Sequence, residues 1–485
     1  MNLEHIPWFI VLVITLITCH IINATGSDIQ ANNDDLKWVK DVGARTFPQS
    51  SEIYYVNDYG AVNNGETLST TAIQSAIDEC AGNGGGVVSF RPGRYLTGSV
   101  FVKEGVDLHI GEDVMILGSQ FIEDYPEIET RVAGIEMVWP AALINFLNQD
   151  NAAISGRGTI HAQGKTFWEK CWKMRREEYE PRGLRWIVDY DCKRPRTLLI
   201  SRCSNITVKD ITLMQAGFWT VHILYSENIT VDGIIIRNNV DGSGPSTDGI
   251  DIDSSSQILI QNCDIDCNDD NFCLKAGRDA DGLRVNRPTE YVVIQDCISR
   301  RGGGLITCGS ETSGGISHVL ARNLKATGTG TGIRLKSAKN RGGTVEYIYV
   351  ENIEMNGVRI PFQADLNWNP AYSYSSLPED YNFEDIPQHW KVMLQKVEPE
   401  GKGIPHFRNI FILNVKAVDA EVAINAIGLE NSQYENFNFT DVEIITQNAG
   451  RISHCKDWTM KNFNIIAEDN KTVRETNCMN IIWIK

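Results

Sequence analysis

A short phrase recurs along this chain at intervals of roughly 20 to 35 residues, which is the spacing of stacked repeat units. Apolar and polar residues alternate within it, and Asp, Asn or Gly stands near its end, a pattern typical of short strands. We therefore expect a solenoid, in which each coil buries its inward side chains on its neighbours. The clearest copies start at Asn205 (NITVKDI), Asn228, Gln257, Tyr291, His318 and Tyr347, with weaker copies from Asn409, Asn436 and Asp457.

The predicted fold class is all-β, as a single-stranded right-handed parallel β-helix with a short N-terminal capping helix. The helix-like stretch TTAIQSAIDECA from Thr70 is expected to close the open N-terminal end. Repeats add length without adding domains, so we expect residues 27–485 to form one domain. The stretch 361–405 interrupts the repeats as a long excursion.

Four polar motifs fall in the intervals between consecutive phrases and should therefore occupy similar positions in successive coils. Neighbouring strands lie about 4.8 Å apart. This spacing would bring three carboxylates and two cations together on one face, although they are far apart in sequence. The motifs are STDGIDID from Ser246, NDDNFCLKAG from Asn268, RRGGGLITCGS from Arg300 and GTGTGIRLKS from Gly328.

These motifs resemble glycoside hydrolase family 28, the polygalacturonase-like pectin hydrolases. The family's ordered signatures are Asn-Thr-Asp, Asp-Asp, Gly-His-Gly and Arg-Ile-Lys. This chain has Ser246-Thr-Asp248, Asp269-Asp270, Gly302-Gly-Gly304 and Arg334-Leu-Lys336 in the same order. YGAVNNG from Tyr59, GGGVVSFRPGRYLTGSVFV from Gly84 and GSETSGG from Gly309 extend the resemblance over nearly the whole mature chain. The departure is Gly303, which stands where the family has His.

The resemblance implies a catalytic role for Asp269 as general acid, with Asp248 and Asp270 holding and deprotonating water for inverting attack. Crowding of the three carboxylates would raise at least one pKa. Successive strand residues point to opposite faces, so Asp269 and Asp270 share the groove only if a bend redirects one of them. For Asp251 and Asp253 we expect Asx-type hydrogen bonds to the backbone.

For substrate binding, the resemblance implies that Arg334 and Lys336 hold a galacturonate carboxylate. His222, one coil before Asp248, is a further candidate for substrate binding that would supply an imidazole. The insertion 278–290 adds three arginines next to the aspartate doublet and can wall off one end of the groove, which would favour cutting from a chain end. Trp368, Tyr372 and Tyr374 can stack on sugar faces or pack on the solenoid. No metal and no cofactor are expected.

The predicted function is a secreted hydrolase of α-linked galacturonides in pectin, acting at chain ends. Two alternatives stay open: a hydrolase of rhamnogalacturonan or other pectic oligosaccharides, and a pectin-binding pseudoenzyme. The formal net charge of −17 argues against nucleic acid as a partner and makes binding of an acidic polymer depend on local basic groups and on salt. A monomer is expected.

The N-terminus, residues 1–26, reads as a secretory signal with an apolar run from about Trp8 to Ile22. Cleavage there predicts a secreted, extracellular protein with no membrane segment. An uncleaved anchor is the alternative, since no Lys or Arg precedes the apolar run. The sequons outside this region, at Asn205, Asn228, Asn438 and Asn470, predict some glycosylation in a eukaryotic host. Cys263 and Cys297 share a repeat register and can stack in the core, whereas Cys455 and Cys478 are the pair expected to form a C-terminal disulfide.

Overall fold

The computed structural model describes residues 36–485. The predicted signal, 1–26, lies outside these residues. Within the described part of the chain, no helix is long and apolar enough to cross a membrane.

Three parallel sheets wind around a common core, and each coil contributes one strand to each sheet. This confirms the predicted right-handed parallel β-helix. Sheet A contains Val100–Val102, Ile144–Leu147, Leu198–Ser201, Val221–Leu224, Ile250–Asp253, Phe272–Lys275, Gly304–Cys308, Thr331–Lys336, Ile360–Asp365 and Arg474–Thr476. Sheet B contains Ile53–Tyr55, Gly86–Ser89, Val106–His109, Asp150–Ser155, Ser204–Lys209, Glu227–Asp232, Ser256–Gln261, Thr289–Gln295, Cys455–Ala467 and Met479–Ile484. Sheet C contains Asn64–Leu68, Gly93–Thr97, Val114–Gly118, Thr159–His161, Thr212–Met214, Ile235–Arg237, Asp264–Asp266 and Ile298–Ser299. Towards the C-terminus, long strands continue from sheet to sheet: Ile316–Thr327, Thr344–Asn356, His406–Ile427 and Tyr434–Ser453.

The recurring phrase forms the strands of sheet B, and its two ends are corners of the coil. Its first residue has a left-handed backbone in every copy, with φ of +53° at Asn205 and +55° at Asn228. The residue five positions later is also left-handed, as at Asp210 and Asn262. Asn, Asp and Gly tolerate this conformation best, which explains why they punctuate the phrase. Asn side chains then bond from coil to coil, as Asn323 Nδ2 does to Asp296 Oδ1 at 2.9 Å.

The inward positions of the phrase stack directly on one another. Ile206 pairs with Ile229, Ile229 with Ile258, and Ile258 with Val292 in the parallel register. All four side chains are fully buried. Burying one such side chain stabilises the fold by roughly 1.5–3 kcal/mol, so every added coil supports the next. Cys263 and Cys297 also stack in this core, as predicted, with the Cys263 N–H 3.3 Å from Cys297 Sγ. Cys455 and Cys478 are free thiols in the structure, so the expected C-terminal disulfide is not formed.

The capping helix, Thr70–Gly82, covers the N-terminal end with Ile73, Ala76, Ile77 and Cys80 buried, as predicted. Besides the insertion 278–290, which contains the helix Asp279–Val285, three segments leave the coils. The hairpin is the antiparallel pair Glu127–Val132 and Ile135–Pro140. The helical excursion, 165–197, contains the α-helices Lys165–Lys173 and Val188–Asp191, the π-helix Met174–Tyr179 and the 3₁₀ turn Glu180–Arg182. The C-terminal excursion, 366–405, contains Pro370–Ser373, Phe383–Asp385, Gln388–Met393 and Glu400–Gly403.

These three segments pack together in a second apolar cluster outside the solenoid. Trp139 comes from the hairpin, Trp186 and Tyr190 from the helical excursion, and Trp390 and Met393 from the C-terminal excursion. The rings of Trp186 and Trp390 meet edge to face, with centroids 5.5 Å apart. The cluster fixes the excursions as rigid walls over sheet A.

We expect Ile258→Ala to destabilise the fold by about 2–5 kcal/mol, because it opens a cavity between Ile229 and Val292. The matched control is Ile298→Ala, since Ile298 is 39% exposed on the outer surface. Thermal unfolding of both variants checks the prediction. Equal midpoints would show that the inward stack does not carry the stability assigned to it.

Candidate active site

The aspartate doublet lies in a bend immediately before strand Phe272–Lys275, at residues 268–271. The bend is held on both sides: the Gly249 N–H donates to the carbonyl of Asp270, and the Gly303 N–H donates to the carbonyl of Asp269. Within it, the Asp270 N–H donates to Asp269 Oδ1 at 3.0 Å. The bend that would let Asp269 and Asp270 share one groove is therefore present, and both carboxylates belong to one site.

Asp270 is held between the two predicted cations. Arg334 Nη1 donates to Asp270 Oδ1 at 2.9 Å, and Lys336 Nζ donates to Oδ2 at 2.7 Å. Burial alone would raise the pKa of Asp270, but Lys336 and Arg334 more than offset it and hold the pKa well below its usual range. Asp270 is therefore a fixed carboxylate, and the two cations have one partner in common.

Asp269 differs from its neighbour in both exposure and charge. It is half-buried and lines the pocket, and its pKa is raised, mainly by burial and then by Asp270. Asp248 is 3% exposed, and burial together with Asp251 and Asp269 raises its pKa well above the usual value. Like charges this close cannot all ionise. The site therefore retains protons beside one permanently ionised carboxylate.

Asp251 is a fourth carboxylate of the site, because its strand position points it towards Asp248. It is fully buried, its two carboxylate oxygens have no hydrogen-bond partner among the described residues, and burial raises its pKa well above the usual range. Lys275 Nζ lies 3.6 Å from Asp251 Oδ1. The expected Asx-type bonding is wrong for Asp251, since the residue sits within strand Ile250–Asp253, where its side chain points across the sheet and cannot reach its own backbone.

Lys275 and Glu311 complete the charge balance, and sequence reasoning missed both. Lys275 Nζ lies 3.2 Å from Glu311 Oε2 and 3.9 Å from Asp248 Oδ2, and it stands 4.8 Å from the ring centre of Trp219. Burial would raise the pKa of Glu311, but Lys275 lowers it to about 2. Both residues lie in motifs that the sequence analysis quoted, NDDNFCLKAG and GSETSGG. Their positions at the carboxyl ends of adjacent strands could have predicted that the two charged side chains meet.

His222 is the counterpart of Asp251 in the preceding coil of sheet A, and it is fully buried. Its Nδ1 is 2.9 Å from Arg196 Nη1, its Nε2 is 3.5 Å from Asp253 Oδ2, and burial lowers its pKa to about 4. The substrate-binding role of His222 stays a prediction, and its burial favours positioning of Asp253 over direct contact.

Asp253 also accepts from Arg131 Nη1 of the hairpin at 2.9 Å. This buried ion pair replaces the Asx-type bonding expected for Asp253, which is therefore wrong there too. The pair ties the hairpin to the strand that carries Asp251.

Gly303 is packed closely by the site although it has no side chain. A Cβ at this position would lie 3.1 Å from Arg334 Nη1, 3.2 Å from Asp270 Oδ1 and 3.3 Å from Asp269 Oδ1. The guanidinium of Arg334 thus occupies the space into which a larger side chain would extend. A His side chain at position 303 would have to displace the Arg334 guanidinium.

The carboxylates open into a pocket of about 480 Å³, including its open mouth. Its lining includes Asp248, Asp269, Lys275, Lys336 and Trp368. The three excursions also line it, through Ala133 of the hairpin, Arg185 and Asp189 of the helical excursion and Tyr372 of the C-terminal excursion. Trp368 lies over Lys336, with Nζ 4.3 Å from the ring centre, whereas Tyr374 is not part of the lining.

The insertion 278–290 supports the walls of this pocket and does not line it. Arg278 is fully buried and bonds to all three excursions: its N–H donates to the Gly134 carbonyl, Nη1 to Tyr190 Oη and Nη2 to the Tyr372 carbonyl. Arg284 and Arg287 lie outside the pocket. The predicted wall exists, but the insertion acts through the segments that it holds.

Two groups have ligand atoms within 4.8 Å of one another: Asp248, Asp269 and Asp270, and Asp248, Asp251 and Cys273. Both fit a metal poorly. The oxygens of Asp270 already accept from two cations, and burial raises the pKa of Cys273 well above its usual range, which keeps it a thiol. The expectation of no metal stays a prediction.

A parallel β-helix with protonated and ionised carboxylates in one pocket has the equipment of a glycosidase. The family model described as glycosyl hydrolases family 28 matches residues 128–378. A probable polygalacturonase of Vitis vinifera is 32% identical over 377 residues, which are 74% of this chain and 72% of that protein. An exo-poly-alpha-D-galacturonosidase of Dickeya chrysanthemi is 24% identical over 473 residues, 87% of this chain and 75% of that protein. The solved exopolygalacturonase of Thermotoga maritima has a TM-score of 0.73 at 24% identity, covering 93% of this chain and 96% of that one.

The chain therefore belongs to glycoside hydrolase family 28. It is a glycosidase, as the sequence motifs predicted.

We expect Asp253 to make the free energy of unfolding depend on pH at acidic pH. Burial raises its pKa, but Arg131 and His222 lower it to about 2, below the unfolded value of about 3.9. A depressed pKa contributes stability that is fully present above about pH 4 and is lost as pH falls towards 2. We expect the stability difference between the unmodified protein and Asp253→Asn to narrow by about 2–3 kcal/mol from pH 5 to pH 2. Denaturant unfolding at each pH measures it, with exposed Asp58→Asn as control. A difference that does not change with pH would contradict the assignment.

Restoring the family His should impair the enzyme. Because a side chain at position 303 meets Arg334 Nη1 at 3.1 Å, Gly303→His is expected to displace the guanidinium from Asp270 and to lower kcat at least tenfold. Gly303→Ala, which adds only the Cβ, is the matched control and should retain most activity. Higher activity in Gly303→His would show that this site lacks, and can use, the imidazole.

Proposed function

We propose that this glycosidase hydrolyses α-linked galacturonides of pectin from a chain end with inversion of configuration. The observation that carries the proposal is the contrast within the doublet. Asp269 is half-buried with a raised pKa, and Asp270 beside it is kept ionised by Arg334 and Lys336. Asp269 can donate a proton into the pocket, and the residue directly behind it in the chain stays ionised. The names of the Vitis vinifera and Dickeya chrysanthemi relatives agree with this substrate class.

In the proposed reaction Asp269 protonates the leaving glycosidic oxygen, since it lines the pocket and is the most exposed of the four aspartates. Asp248 and Asp270 together hold a water on the other face of the sugar and take its proton as the water attacks the anomeric carbon directly. Burial keeps Asp251 protonated, so the pair Asp248 and Asp251 carries at most one charge beside Asp270. Lys275, the cation nearest to Asp248, fixes the pair.

Cutting from a chain end is supported by the walls of the pocket. The hairpin, the helical excursion and the C-terminal excursion close one side of the pocket and are joined by Arg278. A polymer could not continue through this side without breaking the second apolar cluster. The terminal sugar therefore fits the walled pocket, with its carboxylate towards Lys336, and the rest of the chain leaves past Arg334.

We further propose that residues 27–485 act as one catalytic domain of a secreted, monomeric protein after removal of 1–26. Support comes from the apolar N-terminal run in the sequence and from the continuous core of the solenoid.

The test is hydrolysis of hexagalacturonate labelled at its reducing end, with products separated over time and the first anomer identified by proton NMR. We expect unlabelled monomer of inverted configuration first, and a loss of activity of about 10³-fold or more in Asp269→Asn, because the general acid is removed. Activity should fall as pH rises through the raised pKa of Asp269. Asp264→Asn, on the outer surface, is the control. Internal fragments as first products would refute end action, and cleavage by Asp269→Asn at the unmodified rate would refute the assigned acid.

A further inference from the structure

A second groove begins where the walled pocket ends, on the far side of Arg334. It has a volume of about 750 Å³, including the part open to solvent. Three arginines line it, Arg301, Arg334 and Arg359, and no Asp or Glu of the described residues does. In a chain of net charge −17 this is a locally basic surface next to the carboxylates. We call it the arginine groove.

The floor of the arginine groove is bare backbone from successive coils. Gly304 pairs with Thr331, and Thr331 with Ile360, so the residues just before them, Gly303, Gly330 and Arg359, follow one another along the solenoid. At about 4.8 Å per coil, Arg359 stands roughly 10 Å from Gly303. The two glycines leave the floor open, and Arg359 is the first side chain that a ligand meets beyond them.

The three arginines differ in how far they are already engaged. Arg334 bonds to Asp270, although its Nε is buried without a partner. Arg301 bonds to Asp266 through Nε at 3.1 Å and Nη2 at 2.7 Å. Among the residues that the structure describes, exposed Arg359 has no ion-pair partner. Its guanidinium offers the paired N–H donors that match a carboxylate.

We propose that the arginine groove binds the free carboxylates of a galacturonate chain beyond the cleaved bond, and that Arg359 makes the enzyme prefer an unesterified acid there. The inference rests on the proposed function, because the chain must leave the walled pocket past Arg334. Digalacturonate would end before Arg359, whereas the third sugar of trigalacturonate would reach it. A methyl ester has no charge and accepts more weakly, so it should bind less well.

The experiment measures kcat/KM on digalacturonate, trigalacturonate and methyl-esterified trigalacturonate. We expect Arg359→Gln to lower kcat/KM on trigalacturonate about tenfold, as expected for one charge-assisted contact, and to leave digalacturonate unchanged. Arg359→Lys should recover part of the loss. Arg300→Gln is the matched control, because Arg300 is exposed and holds Asp264 outside the groove at 2.7 and 2.6 Å. The groove assignment is wrong if Arg359→Gln has the same kcat/KM values as Arg300→Gln, or if trigalacturonate and its methyl ester have equal kcat/KM. Neither result would contradict the proposed hydrolase function.

Binding separates failure of this inference from failure of the proposed function. Trigalacturonate is titrated by calorimetry into Asp269→Asn and into Asp269→Asn with Arg359→Gln. About tenfold weaker binding in the double variant supports the groove, whether or not the unmodified protein cleaves galacturonides. If the unmodified protein cleaves no galacturonide, the proposed function is refuted and the groove assignment is not. Equal binding, or no binding to either protein, overturns the groove.

Discussion

Coil-on-coil stacking in exact parallel register is the constraint on which the site depends. Each outward residue of sheet A lies one strand spacing, about 4.8 Å, from its counterpart in the next coil. Asp251 therefore pairs with Cys273, Cys273 with Thr307, and Thr307 with Arg334. At this spacing, charges are neighbours whether they attract or repel, and the apolar stack inside gives them no freedom to move apart. The solenoid core thus fixes the electrostatics of its own surface.

Nearby cations offset the repulsion between these carboxylates unequally. The carboxylates therefore differ in their pKa values. Lys336 and Arg334 form ion pairs with Asp270, and Lys275 lies nearest to Glu311. The cations therefore offset the cost of burying a charge less well at Asp248, Asp251 and Asp269. Their pKa values rise while that of Asp270 falls. A symmetric distribution of cations would leave four similar carboxylates and no distinction between acid and base. The catalytic roles proposed above follow from which carboxylate receives the cations.

The repeated phrase was enough to predict the solenoid, its sheet B strands and the clustering of Asp248, Asp269, Asp270, Arg334 and Lys336, because period and register are local properties of sequence. It was not enough for Asp251 or Lys275. Their importance depends on which strand face they occupy and on what lies one coil away. Asx bonding is a sound expectation for Asp in a turn, but Asp251 and Asp253 lie in a strand. A wall was predicted, but not the segments that form it, because their contacts are distant in sequence: Arg131 reaches Asp253 across 122 positions and Arg278 reaches Tyr372 across 94.

Gly303 departs from the family pattern at a position where neighbouring side chains leave little room. A Cβ there would lie 3.1 Å from Arg334 Nη1, so the absence of a side chain lets the guanidinium stay beside Asp270. An arginine stays charged at every pH at which the protein is folded, whereas an imidazole loses its proton near neutrality. Arg334 can therefore keep Asp270 ionised over a wide pH range. Gly303 also leaves the floor beyond Asp269 without a side chain, where the arginine groove begins.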